Sequence, residues 1–528
     1  MNKNSFSFSR VLYTIMVFLL GVSVAFYIVK KQHVTSKSYD KLRDLIYYID
    51  HYYVDTVNHE QLSEDAIRGM LEHLDPHSIY SNAEENKAQT EHLEGAFEGI
   101  GVQFNIMNDT IMVVAALAGG PSEKAGIKAG DRIVRVDDEP VADVKITNEQ
   151  VFKKLRGKKG TSVNVGILRP NVTDVLDFEI IRDIIPTYSI TSVYMINDRT
   201  GYIKIDQFGA HTAEEFADAL RKLISKDMKK LILDLRGNAG GYLEAALNVT
   251  DHFLQKGELI LSVKGLHTKP EKFYATDKGL FMEGELTVLI DEFSASASEI
   301  LAGAIQDNDR GTIIGKRSFG KGLVQRPFDF TDGSQVRLTV SRYYTPSGRC
   351  IQRDYKNGTT AYYEELFKRT EDDSLFMSND TSLTNKYLTK LGRTVYDSGG
   401  ITPDVDVPHE KKIYSDAYYQ ALNNAALIQF AFHYANKNKV ALTKNYPCAE
   451  VFIKKMNLSD ALLQEYLSFY AQKNSTHTPL LSSAERKALG TWLKALIGRN
   501  LFQDDAFYPI INTMDEVIAE ALKVMGNK

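Results

Sequence analysis

Between residues 183 and about 408 the apolar pattern switches back and forth between two periods, and this alternation restricts the fold more than any other feature. "TGYIKIDQF" (200–208) reads as a strand, "TAEEFADALRKLISK" (212–226) as a helix, "KKLILDLR" (229–236) as a buried strand and "YLEAALNVTDHFLQ" (242–255) as a helix. "LTVLID" (286–291), "SASEILAGAIQ" (296–306) and "GTIIGK" (311–316) repeat the order strand, helix, strand. Short apolar runs are buried on both faces only when helices cover them, so this segment predicts a layered α/β core.

A chain of 528 residues exceeds one ordinary core, and its flanks read differently from the centre. "YDKLRDLIYYIDHYY" (39–53) carries Leu42, Leu45, Ile46 and Ile49 at helical spacing, and "SEDAIRGMLEHL" (63–74) follows as a second helix, stopped by "DPHS". From Gly95 the period becomes that of strands: "GIGVQFNI", "TIMVVAAL", "RIVRVDDEPV" and "SVNVGILR", interrupted by short helices at "PSEKAG" and "NEQVFKKLRG". Beyond 409 the pattern is helical again, as in "DAYYQALNNAALIQFAFHYA" (416–435) and "MDEVIAEALKVM" (514–525). The expected division is 1–31, an N-terminal membrane anchor or signal; 32–94, helical; 95–184, β-rich; 185–408, the α/β core with a polar insertion at 354–397; and 409–528, a helical accessory domain.

"VLYTIMVFLLGVSVAFYIV" (11–29) is an uncharged run of 19 residues, long enough to cross a bilayer. Ser23-Val24-Ala25 leaves signal cleavage open, but the length favours one anchor with the bulk of the chain exported. A net charge of −5 provides no basic field for nucleic acid. Two cysteines, Cys350 and Cys448, make neither a disulfide framework nor a four-ligand zinc site, and no metal or other cofactor is expected.

Two readings compete for Lys321. "GKRSFGK" (315–321) supplies seven of the eight positions of a phosphate-binding loop. The eighth, which must be Ser or Thr to hold Mg²⁺, is Gly322, and "LVQRPFDF" after it looks extended where a helix is required. No nucleotide is expected. The second reading starts from "SASASE" (294–299), where small residues open a helix whose free amides can face developing negative charge. Ser296-x-x-Glu299 is also an ordinary capping box. A nucleophilic serine needs a base, and His211, His252 and His267 carry no triad motif. A buried, neutral lysine can serve, and Lys321 lies between glycines beside Phe319, Leu323 and Val324.

Eight strings in register resemble the carboxyl-terminal processing peptidases, serine proteases with a Ser-Lys dyad. They are "LDPHS" (74–78), "GIGV" (99–102), "KAGIKAGDRIVRVDDEPV" (124–141), "YIKIDQF" (202–208), "LILDLRGNAGG" (231–241), "SASASEILAGAIQDNDRGTIIGKRSFGKGLVQ" (294–325), "DGSQVRLTVSRYYTPSGRCIQ" (332–352) and "GITPDVDV" (400–407). The resemblance covers residues 38–408 and implies a crotonase-like (ClpP-like) α/β protease core joined to a PDZ domain. It also implies Ser296 as nucleophile, Lys321 as base and Gln325 as the residue holding the lysine. The oxyanion hole would use the amide of Ala297 and that of Gly240 or Gly241, and Gly99-Ile100-Gly101-Val102 would capture a peptide carboxylate. Ala239, Ser318 and Cys350 stand where the family pattern has proline, threonine and serine.

The implied partners are polypeptides with free C-termini and the membrane, through the N-terminal run. An adaptor protein and assembly with further copies are left open. Three rivals are weighed. A non-catalytic PDZ-type scaffold for C-termini would lack the serine or the lysine, and both are present. An ATP-using enzyme is weakened by Gly322. A penicillin-binding type hydrolase needs Ser-x-x-Lys, whereas Glu299 follows Ser296 at that spacing.

Overall fold

The computed structural model describes residues 13–21 and 37–526, apart from 108, 118, 170–171, 372–384, 398 and 409–412. Of the apolar run 11–29, residues 13–21 are helical and exposed, and the rest lies outside the described residues. No helix among the described residues is long and apolar enough to cross a membrane.

The chain forms two compact units, 1–71 and 72–528. The first contains the helix Lys37–Tyr52 and most of the helix His59–Glu72. The second helix starts four residues earlier than its sequence suggests. Asn58 Oδ1 accepts the amides of Glu60 at 3.1 Å and Gln61 at 3.2 Å, so asparagine rather than Ser63 caps it.

In the second unit, the segment expected to be wholly helical contains a strand, Ile79–Ser81, which pairs antiparallel with Gln335–Tyr344. The preceding Asp75 enforces the turn: Oδ1 accepts the amides of His77 at 2.9 Å and Ser78 at 3.0 Å, and Oδ2 accepts the Ser78 hydroxyl at 2.6 Å.

The β-rich domain is an antiparallel sheet in the order Val102–Met107, Thr110–Ala116, Arg132–Val136, Ser162–Leu168, Leu176–Ile181. Helix Asn148–Leu155 buries Val151 and Leu155 in a core with Ile111, Ile133, Val163 and Ile167. The ends of the domain meet where Ala96–Gly99 pairs with Asp183–Pro186.

The central core holds a six-stranded sheet ordered Ile190–Met195, Thr200–Ile205, Lys230–Asp234, Glu285–Ile290, Thr312–Gly315, Val405–Asp406; only the first pair is antiparallel. Helices Thr212–Ile224, Leu243–Asp251 and Ala297–Asp307 share one hydrophobic core with a face of this sheet, and every residue of the last helix is buried. A second sheet, built on Gln335–Tyr344, contributes Leu261, Val263 and Tyr343 to the same core. The opposite face carries Tyr202, Ile232, Leu289 and Ile314, which Ile518, Ala521 and Met525 cover. Both faces of the parallel sheet are therefore sealed, as its apolar strands require.

The insertion folds into a helix, Thr359–Glu371, and a hairpin, Lys386–Leu388 with Thr394–Tyr396. In the tail, 416–435 is two helices, Asp416–Leu422 and Ala425–Lys437. Asn423–Asn424 breaks the apolar period, and Asn424 Oδ1 caps the second helix through the Ala426 amide at 2.9 Å.

Candidate active site

Two adjacent parallel strands, Lys230–Asp234 and Glu285–Ile290, deliver the glycine turn (237–241) and the serine turn (291–296) side by side at their C-terminal ends. Asn238 is fully buried and joins them: its carbonyl accepts the Ala295 amide at 3.0 Å and the Ser298 hydroxyl at 2.9 Å. The Ser294 hydroxyl donates to Leu235 O at 2.8 Å. Ser294 and Ser298 thus fasten the turn on either side of Ser296. Gly240 is required by this closeness, because a β-carbon there would lie 2.9 Å from Ser296 Cβ and 2.8 Å from Ala295 O.

Ser296 is the residue before the buried helix and has φ 54° and ψ −109°. For a non-glycine residue this conformation costs about 1–3 kcal/mol and persists only where surrounding contacts over-determine it. The Gly240 amide donates to Asn238 Oδ1 at 2.8 Å. Among the described residues, the Ala297 and Gly241 amides have no acceptor.

Lys321 arrives on a loop from the next parallel strand. After Thr312–Gly315 the chain runs through residues 316–322 into the strand Leu323–Asp329, not into a helix, so the glycine-lysine string lacks the helix N-terminus that a phosphate loop uses. Two buried side chains lock this loop to the serine turn. The Glu299 carboxylate accepts the amides of Ser296 (2.9 Å), Gly320 (2.7 Å) and Lys321 (2.8 Å) and the Ser318 hydroxyl (2.5 Å). Burial raises the Glu299 carboxyl above its ordinary range, and these four donors oppose the shift. The Tyr343 hydroxyl lies 2.7 Å from Lys321 O and 3.2 Å from Ser296 O. Glu299 therefore holds the two residues by their amides, and Tyr343 holds them by their carbonyls.

The Lys321 amine donates to Gln325 Oε1 at 2.8 Å, and Gln325 Nε2 donates to the His77 carbonyl. Among the described residues no carboxylate lies within ion-pair distance of Lys321. Burial pushes its pKa below 10.5 and Arg337 pushes it further, while Glu299 and Asp75 act in the opposite direction. His77 is kept neutral, its pKa lowered to about 3 by burial and then by Lys321. Its ring donates or accepts at Tyr362 OH, 3.0 Å away, and meets Phe319 edge-on, so the insertion helix reaches the back of the lysine loop.

Ser296, Ala297, Lys321, Gln325, Gly240 and Gly241 all line one cleft of about 550 Å³, with Arg337 and Tyr343 on its walls. Among the described residues no hydrogen bond joins Ser296 Oγ to Lys321 Nζ. His211, His252 and His267 do not line the cleft, but His92, which the sequence reading passed over, does. Glu299 was read only as a helix cap, because its loop partners lie some twenty residues onward. Tyr343 and His77 sit in quoted motifs but carry no chemical signature in sequence. Both cysteines are free.

In the β-rich domain, Ile100 is buried and its carbonyl accepts the Ser122 amide at 3.0 Å and hydroxyl at 2.7 Å. Gly101 takes φ 70°, and its carbonyl accepts the Leu117 amide at 3.0 Å. Among the described residues neither the Ile100 nor the Gly101 amide has an acceptor. Within Gly99-Ile100-Gly101-Val102, the two residues Ile100 and Gly101 therefore join the strand Ala96–Gly99 to the edge strand Val102–Met107 with carbonyls held and, among the described residues, amides free.

Four family models match the chain: "Activating protease CtpB N-terminal domain" over residues 24–85, "PDZ domain" over 99–180, "Peptidase family S41" over 199–361 and "Family of unknown function (DUF8443)" over 417–504. The chain is similar to carboxy-terminal processing protease CtpB of Bacillus subtilis, with 37% identity over 60% of this chain and 66% of the relative. A carboxy-terminal-processing protease of Bartonella bacilliformis is 38% identical over 60% of this chain and 73% of its own length. For carboxy-terminal processing protease CtpA of Bacillus subtilis the values are 35%, 67% and 76%. With the cleft assembled as described and relatives of this identity spanning most of their lengths, the chain belongs to peptidase family S41, among the carboxy-terminal processing serine proteases that carry a PDZ domain.

Proposed function

We propose that the enzyme cleaves polypeptides near their C-terminal ends by acyl transfer, with Ser296 as nucleophile and Lys321 as general base. The observation that carries this reading is a lysine amine lining the serine's cleft, depressed in pKa by burial and without a carboxylate partner among the described residues. Neutral Lys321 takes the Ser296 Oγ proton as Oγ attacks the substrate carbonyl carbon. The tetrahedral oxyanion then collapses, the C–N bond breaks, and the lysine ammonium returns its proton to the leaving amine. Lys321 next deprotonates a water that attacks the ester and frees Ser296.

Gln325 holds the amine between turnovers, and rotation of the lysine side chain turns it from Gln325 Oε1 toward Ser296. The oxyanion is received by the Ala297 amide at the helix N-terminus and by Gly241, since Gly240 is occupied by Asn238. Gly99–Val102 receives the carboxylate of the substrate's C-terminus, and the last residues add as a strand to Val102–Met107. In this reading the parts are 1–31, 32–94, 95–184, 185–408 and 409–528, and the run 11–29 keeps an exported protease at the membrane.

The purified full-length chain incubated with an unfolded protein tests the proposal. Cleavage is expected, with none from Ser296→Ala or Lys321→Ala and no change on adding nucleotide. Undiminished cleavage by the lysine variant would refute the dyad.

A further inference from the structure

We infer that the C-terminal helical domain forms the third wall of the peptide groove, so that the enzyme reads an apolar residue upstream of the last four in its substrate. This inference rests on the proposed capture of C-termini at Gly99–Val102. Among the described residues, the strand Val102–Met107 pairs only with Thr110–Ala116 and leaves its other edge open along its length. A groove of about 580 Å³ follows that edge, bounded on one side by Phe152 of helix Asn148–Leu155. Its remaining wall is the helix Ala425–Lys437, which contributes Ala425, Ile428, Gln429 and Phe432. Their spacing puts all four on one helix face.

Phe432 is buried in a cluster with Met107 and Met112, which fixes this helix against the far end of the edge strand. Ile428 remains 50% exposed. A peptide whose carboxylate meets the Ile100 and Gly101 amides must run antiparallel to Val102–Met107, since the loop opens that strand. At about 3.4 Å per residue, its last four residues lie along the half of the strand that carries Phe104, and its fifth to seventh residues from the end reach the far end, where the helix carrying Ile428 and Phe432 walls the groove. The occupant is therefore the tail of an unfolded substrate with an apolar side chain at one of those positions. The chain's own C-terminal helix is engaged elsewhere, with Ile518, Ala521 and Met525 packed on the parallel sheet.

The test uses full-length Ser296→Ala protein and fluorescent peptides of four and ten residues with the same apolar C-terminus, the longer one carrying leucine at the fifth and seventh positions from the end. The ten-residue peptide should bind about tenfold more tightly. Ile428→Asp should abolish that gain, and Ile428→Ala should halve it or more, with the four-residue peptide binding all three proteins alike. A gain that survives in both variants overturns the inference while leaving C-terminal capture intact. Failure of the four-residue peptide to bind, or equal binding of its C-terminal amide, overturns the capture reading and this inference with it.

Discussion

The cleft at Ser296 and the groove along Val102–Met107 treat their backbone hydrogen bonds in opposite ways. In the cleft, one carboxylate and one phenol hold the amides and carbonyls of both Ser296 and Lys321. Along the groove, one strand edge is open, and the Ile100 and Gly101 amides have no acceptor among the described residues. Proton transfer needs two side chains kept in register to within fractions of an ångström, whereas strand addition needs donors and acceptors kept free. Within the cleft, the Ala297 and Gly241 amides share with the groove the lack of an acceptor among the described residues.

If this division is correct, variants in one region leave the other working. Ser296→Ala or Lys321→Ala should lower kcat/KM by about 10⁴-fold or more, yet leave binding of a C-terminal peptide within twofold. Loss of binding together with cleavage would break the separation. Glu299→Gln comes next: it keeps the shape but replaces one acceptor with a donor facing backbone amides. A fall in kcat of about 10²-fold is expected, with KM little changed. Unaltered kcat would mean that the carboxylate tie does not position the dyad. Tyr343→Phe removes one hydroxyl while keeping the buried ring, and should cost about 5-fold in kcat.

Arg337→Met gives the smallest change in maximal rate but a diagnostic shift in pH profile. Burial and then Arg337 lower the Lys321 pKa, and with Lys321 as the base the rising limb of kcat/KM should report loss of its proton. Removing the guanidinium should move that limb to higher pH. The sign for stability agrees: between the depressed pKa and 10.5 the unfolded chain binds more protons at this position than the folded one, so stability rises with pH across that window. A limb that stays in place would assign the titration to another group.

The parts of the protein that were legible in sequence are those with local signals. Strand and helix periods marked the α/β core, and paired glycines after "LDLR" together with "SASASE" marked the turns beside the cleft. The motif residues Lys321 and Gln325 do line that cleft with Ser296. What stayed hidden depends on contacts far apart in the chain. Ile79–Ser81 is a strand only because Gln335–Tyr344 pairs with it. Glu299 looks like a cap until the loop containing Gly320 folds over it. The helical tail gave its class but not its divisions: Asn423–Asn424 separates two helices because the Asn424 side chain caps the second. The insertion at 354–397 gave only composition, although Tyr362 within it packs on His77 and Phe319.

The most direct measurement is an NMR titration of the Lys321 side-chain amine in full-length Ser296→Ala protein, assigned by comparison with the Lys321→Arg variant. A midpoint below 10.5, with the neutral amine present where the enzyme is active, is the predicted result. A midpoint at or above 10.5 would contradict the account, because the lysine that lines the cleft with Ser296 would then hold its proton and have no capacity to accept another.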